Sequence, residues 1–354
     1  MDAALVERYY SNGVYLRLQP ALTWLSNLAP VALFDVLLVA TVIIWIGLVV
    51  LDRFWRRRAW TMVGVRMLWR TVVLAAAVLL GFLAVWGLNY RRIPLAEKVP
   101  FDASAITPAA LVELTNEAVD AVNTLHESAH EVLRPADSTR DVTLESAFAR
   151  VQESLGLPRH ARTGRPKTSL LDPYFRAAAV DGMTAPGFAE TLIVSDLLPI
   201  ERPLVVAHEW SHLAGFADEA EASYVGWLTC LAGDPLTQYS GWLFVYGQAA
   251  RALPSEERKS IAARLAPGPI EDLRAIADRR ARGVRPAVSE AGWQVYDRYL
   301  KANRVERGAE SYGDVLKLIL GTRSRRATPV ALIFVSSHQR NLIGSSFELR
   351  ASPS

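Results

Sequence analysis

Cysteine is almost missing from this chain. One residue, Cys230, occurs among 354. An intrachain disulfide and a Cys-rich zinc cluster are therefore excluded, and any metal must be held by His, Asp and Glu. An excess of one charge is missing too. The 39 Lys and Arg nearly balance the 36 Asp and Glu, for a formal charge of +3. Nucleic-acid binding calls for a strongly basic surface, so a nucleic-acid partner is excluded. No internal repeat and no low-complexity tract is found, which excludes a solenoid array. The opening stretch MDAALVERYY lacks the basic region of a cleaved signal peptide.

Apolar residues, by contrast, are plentiful at 51%, and they are concentrated. A nearly unbroken apolar run covers 31–51, with Asp35 near one end, and a second covers 71–88. About 20 apolar residues cross a bilayer as a helix. Asp35 is expected near the headgroups, and Trp86 and Tyr90 in an interface belt. A pair of buried core helices would rarely be apolar on every face. Between the runs lie Arg53, Arg56, Arg57, Arg58, Arg66 and Arg70. The flanks are weaker: Arg8 and Arg17 are offset by Asp2 and Glu7, and Arg91, Arg92 and Lys98 follow the second run. The positive-inside rule places the basic loop in the cytoplasm and both termini outside. The first helix is then a retained anchor. Residues 1–30 form a short extracytoplasmic segment, amphipathic over 15–28 and expected on the membrane surface.

No third apolar span follows residue 92; the run at 327–335 is too short. Residues 91–323 are expected to form an extracytoplasmic domain and 324–354 a loosely packed tail. Thr107 and Pro108 open a long helix over 107–134, whose apolar residues recur at three- and four-residue steps. A shorter helix covers 144–155. The strand candidate is 187–195, after the turn-like TAPG of 184–187. Pro199 and Pro203 precede a helix over 204–214, which Gly215 stops. Further helices are expected over 218–232, 242–252, 255–265, 270–282, 288–303 and 311–320.

His-Glu-x-x-His occurs twice, at His126–His130 and at His208–His212. His residues four apart share a helical face and can hold one metal, and the Glu after the first can act as general base. The first copy is followed by the solvated stretch LRPADSTRD, with no prompt acid-bearing turn. It reads as two surface His on the outer face of a packing helix. The second copy has the apolar lead-in LVVA, a stop at Gly215, and then three acids, Asp218, Glu219 and Glu221. This supplies a third ligand and leaves a fourth position for water. Asp218 suits an N-cap, with Glu221 completing a capping box. Glu219 has Ser223 one turn on, where a polar residue can support a ligating His. Glu219 is thus the expected third ligand, with Glu221 second and Asp218 third. Tyr239, Tyr246, Tyr312 and His338 are candidate oxyanion donors by chemistry alone. Cys230 is expected in the core.

The stretches ERYYSNGVY, WGLNYRRIPL, HEWSHLAGFADEAEASYVGWLTC, YSGW, YLKAN and SYGDVLKLIL resemble the bacterial membrane-protein family known as domain of unknown function 3810. The resemblance runs over roughly residues 5–320 and leaves out the motif at His126. It implies a membrane-anchored zinc metallopeptidase. Glu219 and Glu221 match the family's E-x-E-A-N, and Ser223 stands where the Asn does. The expected fold is α+β, mainly helical: a two-helix transmembrane hairpin followed by a zincin-like domain. The expected protein sits in the bacterial cytoplasmic membrane and takes a peptide or protein substrate at its outer face. His208, His212 and Glu219 would hold Zn²⁺, and Glu209 would be the general base. The competing readings are a catalytically silent, zinc-stabilised envelope scaffold and a zinc amidase acting on cell-wall peptides. An intramembrane protease is excluded, because the motif's surroundings are too short and too polar to lie in a bilayer.

Overall fold

The computed structural model describes residues 2–134, 140–302 and 314–323. At the N-terminus, α1 (Ala3–Leu5), a π-helical stretch (Val6–Tyr15) and α2 (Leu16–Leu28) follow one another without a break. The polar side of this rod is the buried one. Gln19 Nε2 donates to Arg162 O at 2.8 Å, Thr23 Oγ1 to Ala189 O at 2.8 Å, and Ser26 Oγ to Glu190 at 3.0 Å. Tyr15 and Leu16 belong to the same core as the later helices. The expected separate segment at 1–30 is therefore part of the main domain, with Trp24, Leu25 and Leu28 on its exposed side.

The next two helices, α3 (Leu33–Val50) and α4 (Trp60–Val85), form the apolar hairpin. The helical segments Leu33–Trp55 and Trp60–Val85 are long and apolar enough to cross a membrane, and their apolar side chains are almost wholly uncovered by protein. A core helix of a soluble protein would be covered. The second helix begins at Trp60, eleven residues before the expected start at 71. Asp52 explains the difference. It is fully buried, 2.7 Å from Arg70 and 3.0 Å from Arg66, so both Arg are neutralised within the helix. Asp35 and Trp86 both find partners in the main domain. Asp35 accepts from Ser169 Oγ at 2.6 Å and Leu170 N at 2.8 Å, while Leu33 N and Phe34 N donate to Glu190. The start of α3 is thus stapled to the main domain. Trp86, expected in an interface belt, is buried against that domain.

The main domain is mainly helical. It comprises α5 (Pro108–Glu131), α6 (Val142–Ser154), α7 (Asp172–Ala177), α8 (Arg202–Leu213), α9 (Glu219–Leu231), α10 (Pro235–Ala252), α11 (Ser255–Ala262), α12 (Pro267–Gly283), α13 (Pro286–Ala302) and α14 (Val315–Thr322). Thr107 caps α5 by accepting from Ala110 N. Asp234 caps α10, which starts at Pro235, seven residues earlier than expected. Its one described sheet has two antiparallel strands, β1 (Gly182–Ala185) and β2 (Glu190–Ile193), with Gly182 opposite Ile193 and Ala185 opposite Glu190. The expected strand at 187–195 thus shortens to β2, which is buried throughout. On its other side β2 meets Lys167, whose N–H donates to Thr191 O at 3.0 Å. The stretch expected to be a turn supplies the end of β1, and Pro186–Phe188 makes the connection. The tail at 324–354 lies outside the described residues.

Candidate metal centre

The apolar lead-in does what its composition implies. Val206, Ala207, Trp210 and Leu213 are buried, while Leu204 and Val205 at the start of the run are half-buried. The helix ends at Gly215, which has φ +84°. A Cβ there would also lie 3.2 Å from Tyr15, Asn89 and Arg92, so both the backbone and the space require glycine. After this turn α9 runs back along α8. Gly226 permits the close approach, since a Cβ there would sit 3.0 Å from His208 N.

The crossing brings three donors together. Glu219 Oε2 lies 3.2 Å from His208 Nε2 and 3.4 Å from His212 Nε2. The three ligand atoms fall within 4.8 Å of one another. Bonds of about 2.0–2.1 Å in a tetrahedron separate ligand atoms by about 3.3 Å, so the donor set fits a Zn²⁺-sized ion. The far ring nitrogens are also held. His212 Nδ1 is 2.7 Å from Phe216 O, and His208 Nδ1 is 3.2 Å from Ser223 Oγ. A carbonyl can only accept, so the Nδ1 of His212 carries a proton, and Nε2 faces Glu219 as the nitrogen that would ligate a metal once deprotonated. Ser223 is thus a polar partner for His208.

The structure separates the three acids that follow Gly215. Asp218 caps α9, accepting from Ala220 N at 2.9 Å and Glu221 N at 3.1 Å. Glu221 lies two residues beyond Glu219, about 200° around the helix. It accepts from Leu95 N instead and lines, with Asp218 and Arg92, a separate cavity of about 420 Å³. Burial pushes its carboxyl up to about 7. Of the three, only Glu219 faces both His.

Glu209 is buried beside this cluster. Thr184 Oγ1, on β1, donates to Glu209 Oε2 at 2.8 Å. Gly182, two residues earlier, lies against the same carboxylate; a Cβ there would come 2.6 Å from Oε1. Burial raises the Glu209 pKa, against the pull of the two His. Burial alone would lower that of His212, but the Glu219 carboxylate outweighs it and raises it to about 9. Burial works against Glu219 too, yet His212 and His208 hold its carboxyl well below the usual range. The directions of the His212 and Glu219 shifts favour an ion pair in the absence of metal, and a metal bound there would displace protons from it.

Tyr239 does not approach this cluster. Its hydroxyl donates to Asp272 at 2.6 Å, beside His126 and His130. Tyr246 packs in the core, and Tyr312 and His338 lie outside the described residues. Cys230 is fully buried, and burial pushes its thiol up. No sequence signal tied several residues to this site: Thr184, Gly182, and the pair Tyr15 and Trp86. Tyr15 OH donates to Leu213 O at 2.8 Å and Trp86 Nε1 to His212 O at 3.1 Å. These two fix the end of α8 to the N-terminal rod and to the end of the apolar hairpin.

A mainly helical chain with two apolar N-terminal helices and a buried His₂Glu cluster is thus defined. A family model described as "Protein of unknown function (DUF3810)" matches residues 10–320. The chain belongs to that family. No curated protein and no solved structure matches it.

Proposed function

We propose that this chain is a membrane-anchored, zinc-dependent hydrolase, a metallopeptidase with a zincin-like domain. One observation carries the reading: two imidazole Nε2 atoms converge on Glu219, with the buried carboxylate of Glu209 at the side of the same cluster. His208, His212 and Glu219 would hold the ion. A bound Zn²⁺ supplies Lewis acidity and lowers the pKa of water. Glu209 accepts the proton of the attacking water and returns it to the leaving amine. Thr184 holds Oε2, which leaves Oε1 to carry that proton. The upward push on the Glu209 pKa brings it closer to the working pH, where a general base is most effective.

Strand β1 supports a peptide substrate. It bears Thr184 and Gly182 against Glu209, and among the described residues only β2 pairs with it. An extended peptide can add to such an edge. The basic loop between the apolar helices orients the hairpin with its loop in the cytoplasm, so the site works outside. Tyr15 and Trp86 tie the metal helix to the membrane-proximal elements, so substrates close to the bilayer surface are favoured.

The test compares wild type, Glu209→Gln and His212→Ala, purified in detergent, on a mixed peptide library read by mass spectrometry. Glu209→Gln should keep its zinc and lose on the order of 10²–10⁴-fold in turnover. His212→Ala should lose zinc and turnover together. If wild type and Glu209→Gln cleave alike, or neither cleaves, the hydrolase reading fails and the zinc-stabilised scaffold takes its place. Cleavage confined to cell-wall peptides would make the chain an amidase.

A further inference from the structure

The first His-Glu-x-x-His stretch does not behave as the outer face of a packing helix. His126 and His130 lie four apart on α5, with ring centroids 4.3 Å apart. A third helix residue, distant in sequence, meets them. Asp272 Oδ2, from α12, is 3.5 Å from His126 Nε2 and 2.9 Å from His130 Nε2. One ligand atom from each residue lies within 4.8 Å of the other two. These separations bracket the spacing of about 3.3 Å that a tetrahedral site with bonds of about 2.0–2.1 Å requires.

The surroundings hold this arrangement in place. Gly268, in the first turn of α12, lies directly on the His126 ring, since a Cβ there would come 2.4 Å from it. Any side chain at 268 would force either the His126 ring or α12 to shift. Tyr239, from α10, donates to Asp272 Oδ2 at 2.6 Å, and its ring meets both imidazoles edge-on. A carboxylate oriented by a hydroxyl is the support that metal ligands commonly have. Beneath lies an apolar floor of Val122, Ala129, Leu236 and Leu243. The three side chains remain 27%, 36% and 13% exposed, so an ion can enter from solvent and complete its coordination with water.

We propose that His126, His130 and Asp272 form a second divalent-metal site, of the imidazole–carboxylate kind that takes Zn²⁺. It clips α12 to α5. Its role is structural. Glu127 is exposed, and no side-chain hydrogen bond holds it among the described residues, unlike Glu209, which Thr184 and β1 position. The proposal stands independently of the hydrolase reading.

Zinc content separates the two. Full-length protein in detergent is stripped with a chelator, reloaded with Zn²⁺, freed of excess and assayed for metal per chain. Wild type should hold about two ions. His130→Ala and Asp272→Asn should each lose about half the bound zinc, as should His212→Ala, and His130→Ala with His212→Ala should lose nearly all. The ion kept by His130→Ala at the first centre reports that the variant is folded. Co²⁺ loading gives a second readout: the visible absorption of wild type should fall by about half in Asp272→Asn. If wild type binds about one ion, unchanged in His130→Ala and lost in His212→Ala, the second site is overturned and the first stands. If that ion is lost in His130→Ala but kept in His212→Ala, the second site stands and the first is overturned.

Discussion

Ser223 shows how much of the proposed metal centre lies outside its ligands. The Oγ lies 3.2 Å from His208 Nδ1, and a partner on the far nitrogen fixes both the tautomer and the orientation of the ring. Ser223→Ala should weaken zinc affinity at the first centre by about 10–100-fold, read by competition with a chromogenic chelator. Ser223→Asn puts another polar group beside Nδ1 and should recover most of it. Equal affinities in all three proteins would mean that His208 needs no such partner. His208, Glu209 and His212 are legible in five letters because one helical turn places them together. Glu219 is legible because Gly215 turns the chain straight into the next helix. Thr184 and Asp272 are not. Their partners lie 25 and 142 residues away, and only packing brings them in. Gly182 and Gly268 are silent for the same reason: what they make room for belongs to another element.

Among the elements, periodicity and caps make the long helices readable, and their ends shift where a distant charge intervenes, as Asp52 does for α4. Strand β1 is hidden because its four residues carry no alternating pattern. The π-helical rod is hidden because it buries polar groups through specific partners rather than an apolar stripe. Arg92 is the chief of these partners. It donates to Glu7 through Nε at 2.9 Å and NH2 at 2.7 Å, and to Gly215 O at 2.9 Å, joining the rod to the turn after the metal helix. Burial pushes the Glu7 carboxyl up, but Arg92 and Lys98 outweigh it and hold it below its ordinary value of 4.5. A lowered folded pKa means that the charged form stabilises the fold above about pH 4.5. That contribution is lost as pH falls through the folded value. Glu7→Gln should therefore cost about 3 kcal/mol at pH 7 by leaving Arg92 buried without its carboxylate. The gap between wild type and variant in denaturant unfolding should close on acidification. A gap that stayed constant down to pH 3 would mean that Glu7 carries no such charge in the fold.

At the scale of the whole molecule, the rod, the apolar hairpin and α8 form one unit. Glu190 receives the start of α3, Trp86 joins the end of α4 to His212 O, and Tyr15 joins the rod to Leu213 O. The rod in turn leaves Trp24, Leu25 and Leu28 uncovered. An exposed apolar side beside an apolar hairpin suits the headgroup region better than water. In the proposed orientation, with the Arg-rich loop inside, α11 and α8 lie together on the outer side. Cys230 is fully buried, so the wild-type chain gives a silent background for thiol labelling. Ala59→Cys, in the exposed loop between the apolar helices, and Lys259→Cys, on an exposed face of α11, then report the two sides. In spheroplasts of a bacterial host, a membrane-impermeant maleimide should label Lys259→Cys before lysis and Ala59→Cys only after it. The reverse pattern would put the His208–His212–Glu219 cluster in the cytoplasm. Labelling of both before lysis would mean that the hairpin does not cross the bilayer, and the tether would then be the apolar side of the rod.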